Sequence, residues 1–192
     1  NIKKFGIEPI VAINHFILDT QNEIKTIKNF CKEIGIQVSV STHWANGGKG
    51  AKDLAKKVVQ ICKKSKPKNF KYLYEEKLPL WKKIETISKE IYRAKGITAS
   101  DNVKEQIKNF EISGYGNLPI CIAKTQYSFS VDPKLKGAPE NHEIPIREVR
   151  LSSGANFIVV VCGSIMTMPG LPKVPAADNI KLNKNGETEG LF

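Results

Sequence analysis

The chain has 192 residues, 41% hydrophobic and 26% charged, which suits one folded domain or slightly more and excludes a disordered or collagen-like chain. Lys and Arg number 30 against 19 Asp and Glu, a formal net charge of +11; this fits anionic partners (nucleotides, phosphorylated or polyglutamylated small molecules, nucleic acid, acidic membrane) without choosing among them. No apolar run approaches the roughly 20 residues of a membrane helix. The longest, Phe157 to Cys162, reads as a buried strand. The chain opens on Asn1-Ile2-Lys3-Lys4, with no Met and no signal-peptide pattern, so the expectation is a segment from within a longer protein. Cys31, Cys62, Cys121 and Cys162 lie far apart in apolar stretches with no C-x-x-C pair. They are expected to be reduced core thiols in a reducing compartment, the cytoplasm or an organelle.

In chain order, Pro9 to Asn14 is a short apolar run that reads as a buried strand. Thr20 and Glu23 have capping-box spacing. Ile24, Ile27, Cys31 and Ile34 then recur at helical spacing, and Gly35 stops the helix. Ile36 to Ser41 alternates and is β-branched, a second strand. Leu54, Val58, Ile61 and Cys62 mark a second helix, which ends in the basic run Lys63 to Lys68. No aromatic side chains interleave with that run, so it reads as a solvated helix end and not a base-stacking surface. The crossover is long enough for a parallel strand pair.

A third helix follows Pro79 and carries Leu80, Ile84, Ile87 and Ile91, with Gly96 past its end. A fourth starts near Ser100-Asp101-Asn102 and carries Val103, Ile107 and Phe110, until Gly114-Tyr115-Gly116-Asn117 breaks it. Strand-like Ile120 to Ala123, a loop from Asp132 to Pro145, and strands over Ile146 to Leu151 and Phe157 to Cys162 follow. The last thirty residues, with Pro169, Pro172 and Pro175, read as mostly irregular. A boundary falls near residue 70, where a parallel α/β pattern gives way to an α+β segment: 1–69, then 70–192.

In an open parallel sheet, ligands bind beyond the carboxyl ends of the strands. One strand here ends in Asn14-His15-Phe16 and the other in Ser41-Thr42-His43-Trp44, so one edge carries two aromatic rings, two imidazoles and an amide. Phe16 and Trp44 either clamp a flat heterocycle or cap the core. The following Asn46-Gly47-Gly48-Lys49-Gly50 opens a helix, but its spacing is not that of a P-loop. His15, His43 and His142 show no metal-ligand spacing, so no metal site and no catalytic residue is assigned.

Several stretches together resemble the C-terminal third of formate–tetrahydrofolate ligases. They are Val11 to Phe16 with Asp19-Thr20, Thr42 to Gly50, Gly114 to Thr125, Met166 to Pro172, and Gly190-Leu191-Phe192. The resemblance implies an ATP-dependent joining of formate to N10 of tetrahydrofolate through formyl phosphate. It also implies a P-loop-type sheet and an aromatic pair on the strand tips that sandwiches a planar ligand, the pterin or adenine. By motif match that pair is Phe16 and Trp44, with Asn14 and the backbone near Ala45 lining the pocket and Val40 as an apolar wall. The family's P-loop lies in its N-terminal part, and no such motif occurs in these residues. The chain alone is therefore expected to be inactive, since nothing in it holds the phosphates and Mg²⁺ for phosphoryl transfer. The resemblance further implies homo-oligomers, small-molecule substrates, and neither nucleic acid nor membrane as a partner. A second reading is a non-catalytic folate- or nucleotide-binding module that keeps Phe16 and Trp44. A third, a small basic nucleic-acid-binding protein, is disfavoured because the basic residues are spread along helix surfaces.

Overall fold

The computed structural model describes residues 1–65, 69–165 and 173–190. The end of the basic run (Lys66 to Lys68), the stretch Met166 to Pro172 and the final Leu191-Phe192 lie outside the described residues. Among the described residues the fold is mixed α/β, with a parallel strand pair, a four-stranded mixed sheet and a small hairpin.

Strands β1 (Ile10–Asn14) and β2 (Gln37–Ser41) are parallel and in register from Ile10 opposite Gln37 to Asn14 opposite Ser41. Helix α1 (Gln21–Glu33) connects them. Its capping box is formed: the Thr20 hydroxyl accepts from the Glu23 amide at 3.3 Å, and the Glu23 carboxylate accepts from the Thr20 amide at 2.8 Å. The Thr20 backbone bond, followed by its hydroxyl, holds the Glu23 carboxyl below its usual range. At the other end the chain turns at Gly35, where φ is +64°, and Lys3 donates to the Ile34 carbonyl at 2.8 Å. Of the helical apolar stripe only Ile24 and Cys31 are buried; Ile27 and Ile34 remain exposed. The short helix α2 (His43–Asn46) and a 3₁₀ turn at Gly47–Ala51 lead into α3 (Lys52–Lys64), which buries Ile61.

Helix α4 (Leu80–Glu90) begins directly after Pro79, and α5 (Asp101–Phe110) is capped by the Ser100 hydroxyl. The second sheet is ordered β3 (Gly96–Ala99), β5 (Glu143–Ser152), β6 (Phe157–Cys162), β4 (Ile120–Ala123). β3 with β5 and β4 with β6 are parallel, and β5 with β6 is antiparallel. Leu80, Ile84, Val103 and Ile107 of the two helices pack on Ile144, Ile146, Val149, Ile158 and Val160. Each such side chain contributes about 1.5–3 kcal/mol by leaving water. The chain closes in a hairpin of β7 (Lys181–Leu182) and β8 (Thr188–Glu189).

Four details differ from the sequence reading. Gly96 does not merely follow a helix; it opens β3, a strand of four residues. β5 begins at Glu143, three residues before Ile146, with Pro145 inside it. The β6 side of the ladder uses only the Pro145 carbonyl, bonded by the Gly163 amide at 3.0 Å, and the register shifts between Ile146 and Glu148, so the missing proline N–H is tolerated. Residues 181–189 form a hairpin within the stretch read as irregular. Finally, Cys31 and Cys162 are buried, but Cys62 and Cys121 are exposed. Cys62 is one helical step round from buried Ile61, and Cys121 points off β4, an edge strand whose Ile120 and Ile122 face the core.

Lys83 is wholly buried on α4. Its ammonium donates to the carbonyls of Gly116 at 2.8 Å and Leu118 at 3.1 Å, and lies 5.8 Å from the centre of the Tyr74 ring. Burial pushes its pKa down, opposed by Glu76 and Glu111. It pins the loop that follows a wide π-type turn at Glu111–Tyr115.

Candidate functional site at the strand tips

Because β1 and β2 run parallel, Asn14 and Ser41 emerge side by side at one edge. The His15 amide extends the ladder by one more bond, to the Ser41 carbonyl at 2.9 Å. The chain after β1 then folds back on itself. The Phe16 amide donates to the Asp19 carboxylate at 2.8 Å, and the Asp19 amide donates to the Phe16 carbonyl at 3.1 Å. This turn fixes Phe16 at the edge and presents Ile17 and Leu18 to solvent, 93% and 89% exposed.

The turn after β2 is closed by glycine. The Thr42 amide donates to the Gly50 carbonyl at 3.2 Å. A Cβ on Gly50 would stand 2.4 Å from the Thr42 carbonyl carbon and 2.6 Å from the His43 nitrogen, so only glycine permits that approach. Gly47 takes φ +55°, ψ −143°, a conformation effectively reserved for glycine. Within the loop the amides of Ala45 and Asn46 both donate to the Thr42 carbonyl, at 3.1 and 2.9 Å, and His43 Nδ1 is 2.8 Å from the Ser41 hydroxyl. The result is a rigid platform for Trp44. Its far side is tied to the sheet through Asp53 of α3, which accepts from the Ser39 hydroxyl at 2.6 Å and pairs with Lys57 at 2.8 Å. Lys57 also donates to the Val38 carbonyl. Lys57 first, then Ser39, hold the Asp53 carboxyl below its usual range.

Phe16 and Trp44 meet. Their ring centres are 6.2 Å apart and their planes are inclined by 58°, within the range of an ordinary aromatic pair. Phe16 is 49% exposed and Trp44 75%. A flat guest between two parallel rings needs about 7 Å, twice the van der Waals contact distance of ~3.5 Å. The rings therefore touch each other as they stand, and must rotate and part slightly to admit a guest. Asn14 and Ala45 are exposed at the same edge, and Val40 is half-buried. Val40 lies in register with buried Ile13, on the opposite sheet face from Asn14 and Ser41.

Two contributors had no role in the sequence reading. Asp19, named there only within a matching stretch, sets the position of Phe16. The Ser39–Asp53–Lys57 link braces the loop, and the i,i+4 spacing of Asp53 and Lys57 hinted at it.

The sequence pattern of the family described as "Formate--tetrahydrofolate ligase" matches residues 1–192. The chain belongs to the formate–tetrahydrofolate ligase family. It is similar over all 192 residues to the formate–tetrahydrofolate ligases of Pelagibacter ubique, at 64% identity, Roseobacter denitrificans, at 54%, and Ruegeria sp., at 53%. In each case this covers 100% of the chain and 34% of the relative. The chain thus spans about a third of the length of the curated ligases it matches. Among the described residues no helix is long and apolar enough to cross a membrane.

Proposed function

We propose that these residues act within a longer polypeptide as part of an ATP-dependent ligase that joins formate to tetrahydrofolate. The product is 10-formyltetrahydrofolate, and the route passes through formyl phosphate. This part supplies the aromatic wall: Phe16 and Trp44 stack on the planar ligand with Asn14 and Ala45 beside it, while Val40, on the other sheet face from Asn14, backs the strand tip and does not line the ligand with them. The single observation that carries this reading is the contact of Phe16 and Trp44 across two parallel strand tips, in a chain of the ligase family. Stacking orients the amine toward the formyl donor, which is a positioning role worth much of a barrier when the geometry is close.

On this reading residues 1–69 are the C-terminal part of a P-loop-type α/β domain, and residues 70–192 are a separate α+β segment. ATP, with Mg²⁺, is held by groups outside the 192 residues, which contain no P-loop motif; on their own they do not turn over. The enzyme works on small molecules as a homo-oligomer in the cytoplasm, where its four free cysteines stay reduced.

Trp44→Ala in the complete enzyme is the test. Tetrahydrofolate affinity should fall by about 1–3 kcal/mol, on the scale of base–aromatic stacking. Trp81→Phe is the control: Trp81 packs against the core of the second sheet, and the change should leave affinity intact. An unchanged affinity in Trp44→Ala removes the clamp from the reading.

A further inference from the structure

A second concavity, of ≈ 920 Å³, opens between the turn Ile2–Phe5, the segment 72–76, α4 and the loop entering β4. None of the strand-tip residues lines it. Its walls are mainly Phe5, Tyr72, Tyr74, Ile87, Ile91 and Ile120, and its size lies within the range of small-molecule sites. The walls are set before any ligand arrives. Lys83 pins the loop at Gly116 and Leu118, the Ile120 amide donates to the Tyr74 hydroxyl at 3.1 Å, and the Lys71 amide donates to the Phe5 carbonyl at 2.9 Å. Phe5 stacks on Phe70, with ring centres 6.3 Å apart, and Phe70 meets Tyr72 edge-on at 5.0 Å. That ladder holds the Tyr72 ring in place while leaving it 83% exposed.

The polar lining is acidic. Glu75 and Glu76 border the cavity together with the Asn117 amide. Neither carboxylate forms a hydrogen bond or ion pair with another described residue, in a chain with 30 cationic side chains. Lys83, under the Tyr74 ring, is held by the two carbonyls and does not neutralise them by contact. Aromatic faces attract cations, and unpaired carboxylates beside them add a charge that an anion cannot use.

We propose that this cavity binds an organic cation, an ammonium or guanidinium head on an apolar stem. The stem lies against Ile87, Ile91 and Ile120; the head sits between the Tyr72 ring and the Glu75 and Glu76 carboxylates. The site is independent of the ligase reading, whose anionic substrates these carboxylates repel.

Calorimetric titration of the complete polypeptide with phenethylammonium tests this, against the neutral 2-phenylethanol and the anionic 3-phenylpropionate. The ammonium should bind saturably and about tenfold or more tighter than the alcohol, and the propionate should not bind. The double variant Glu75→Gln, Glu76→Gln should lose the preference for the cation while keeping its circular dichroism and its tetrahydrofolate affinity. Tyr72→Ala should weaken the ammonium several-fold, and at so exposed a position the fold is kept. Equal binding of ammonium and alcohol, a preference that survives the double variant, or no binding because another part of the polypeptide fills the cavity would each overturn the proposal.

Discussion

The placement of Trp44 rests on one missing methyl group, and Gly50→Ala probes it. The new Cβ would lie 2.4 Å from a backbone carbon and 2.6 Å from a backbone nitrogen, about 1 Å closer than ordinary contact allows. Neither neighbour is a side chain that can swing aside, so the two backbone segments must separate. Separation by that much breaks the bond from the Thr42 amide to the Gly50 carbonyl, now 3.2 Å. Overpacking of this kind costs about 1–3 kcal/mol and the hydrogen bond about 1 kcal/mol, so the variant should lose roughly 2–4 kcal/mol of local or global stability. The displaced segment starts α2 at His43, one residue from Trp44, so ligand affinity should fall together with stability. Gly48→Ala is the matched control: its Cβ meets nothing within 4 Å, and it should be neutral in both measurements. Urea titration followed by tryptophan fluorescence, with tetrahydrofolate binding measured on the same samples of the complete enzyme, reads both effects. If Gly50→Ala binds and unfolds like Gly48→Ala, the close approach does not position the indole and the reasoning fails.

Lys83→Met keeps the volume of a buried side chain but leaves the Gly116 and Leu118 carbonyls without their donor. Unmet carbonyls cost about 1–3 kcal/mol each, and removal of a desolvated ammonium offsets part of that. A net loss of about 1–3 kcal/mol is expected in urea unfolding; a variant as stable as the parent would show that the lysine does not hold the loop. Glu85 is held to a pKa of about 2 by Lys82, then Lys89, against an ordinary 4.5. Its folded pKa is depressed, so its contribution is complete above pH 4.5 and disappears as pH falls from 4.5 toward 2. The two lysines are 60% and 46% exposed, so solvent screening limits the pair to about 0.5–1 kcal/mol. Glu85→Gln should lower stability by that amount at pH 7 and by only a small fraction of it at pH 2, where the carboxyl is about half protonated in the folded state; an equal effect at both pH values would refute the assignment.

Much of the fold was legible because local signals agreed with it. The capping box at Thr20, the glycine stop at Gly35, the β-branched alternation of β2 and the Ser100 cap all act through backbone groups a few residues away. β3 was not legible: four residues opening with glycine show no alternation, and only pairing with β5 makes them a strand. Pro145 concealed the start of β5, since its tolerance depends on which carbonyl faces β6. Lys83 carried an unread signal. With Leu80, Ile84 and Ile87 it falls at i, i+3, i+4 and i+7 on one helix face, which places an ammonium in the core. At the candidate site, parallel topology was enough to bring Phe16 and Trp44 to one edge. The tilt of their rings, the Asp19 turn and the steric demand at Gly50 depend on coordinates, because each arises between segments whose spacing does not specify an approach.

The contact between Phe16 and Trp44 makes each ring the other's first partner. A guest entering there displaces an intramolecular neighbour and not only water. An aromatic pair is worth about 0.5–1.5 kcal/mol, which weakens the observed affinity of any flat guest by roughly two- to twelvefold. The loss is the same for every guest, but the gain is not. A solute that covers one ring face recovers little more than the contact it breaks, whereas one that covers two faces gains on both sides. On the proposed clamp, a self-closed pair therefore favours a guest that covers both ring faces over one that covers a single face, before any hydrogen bond is read.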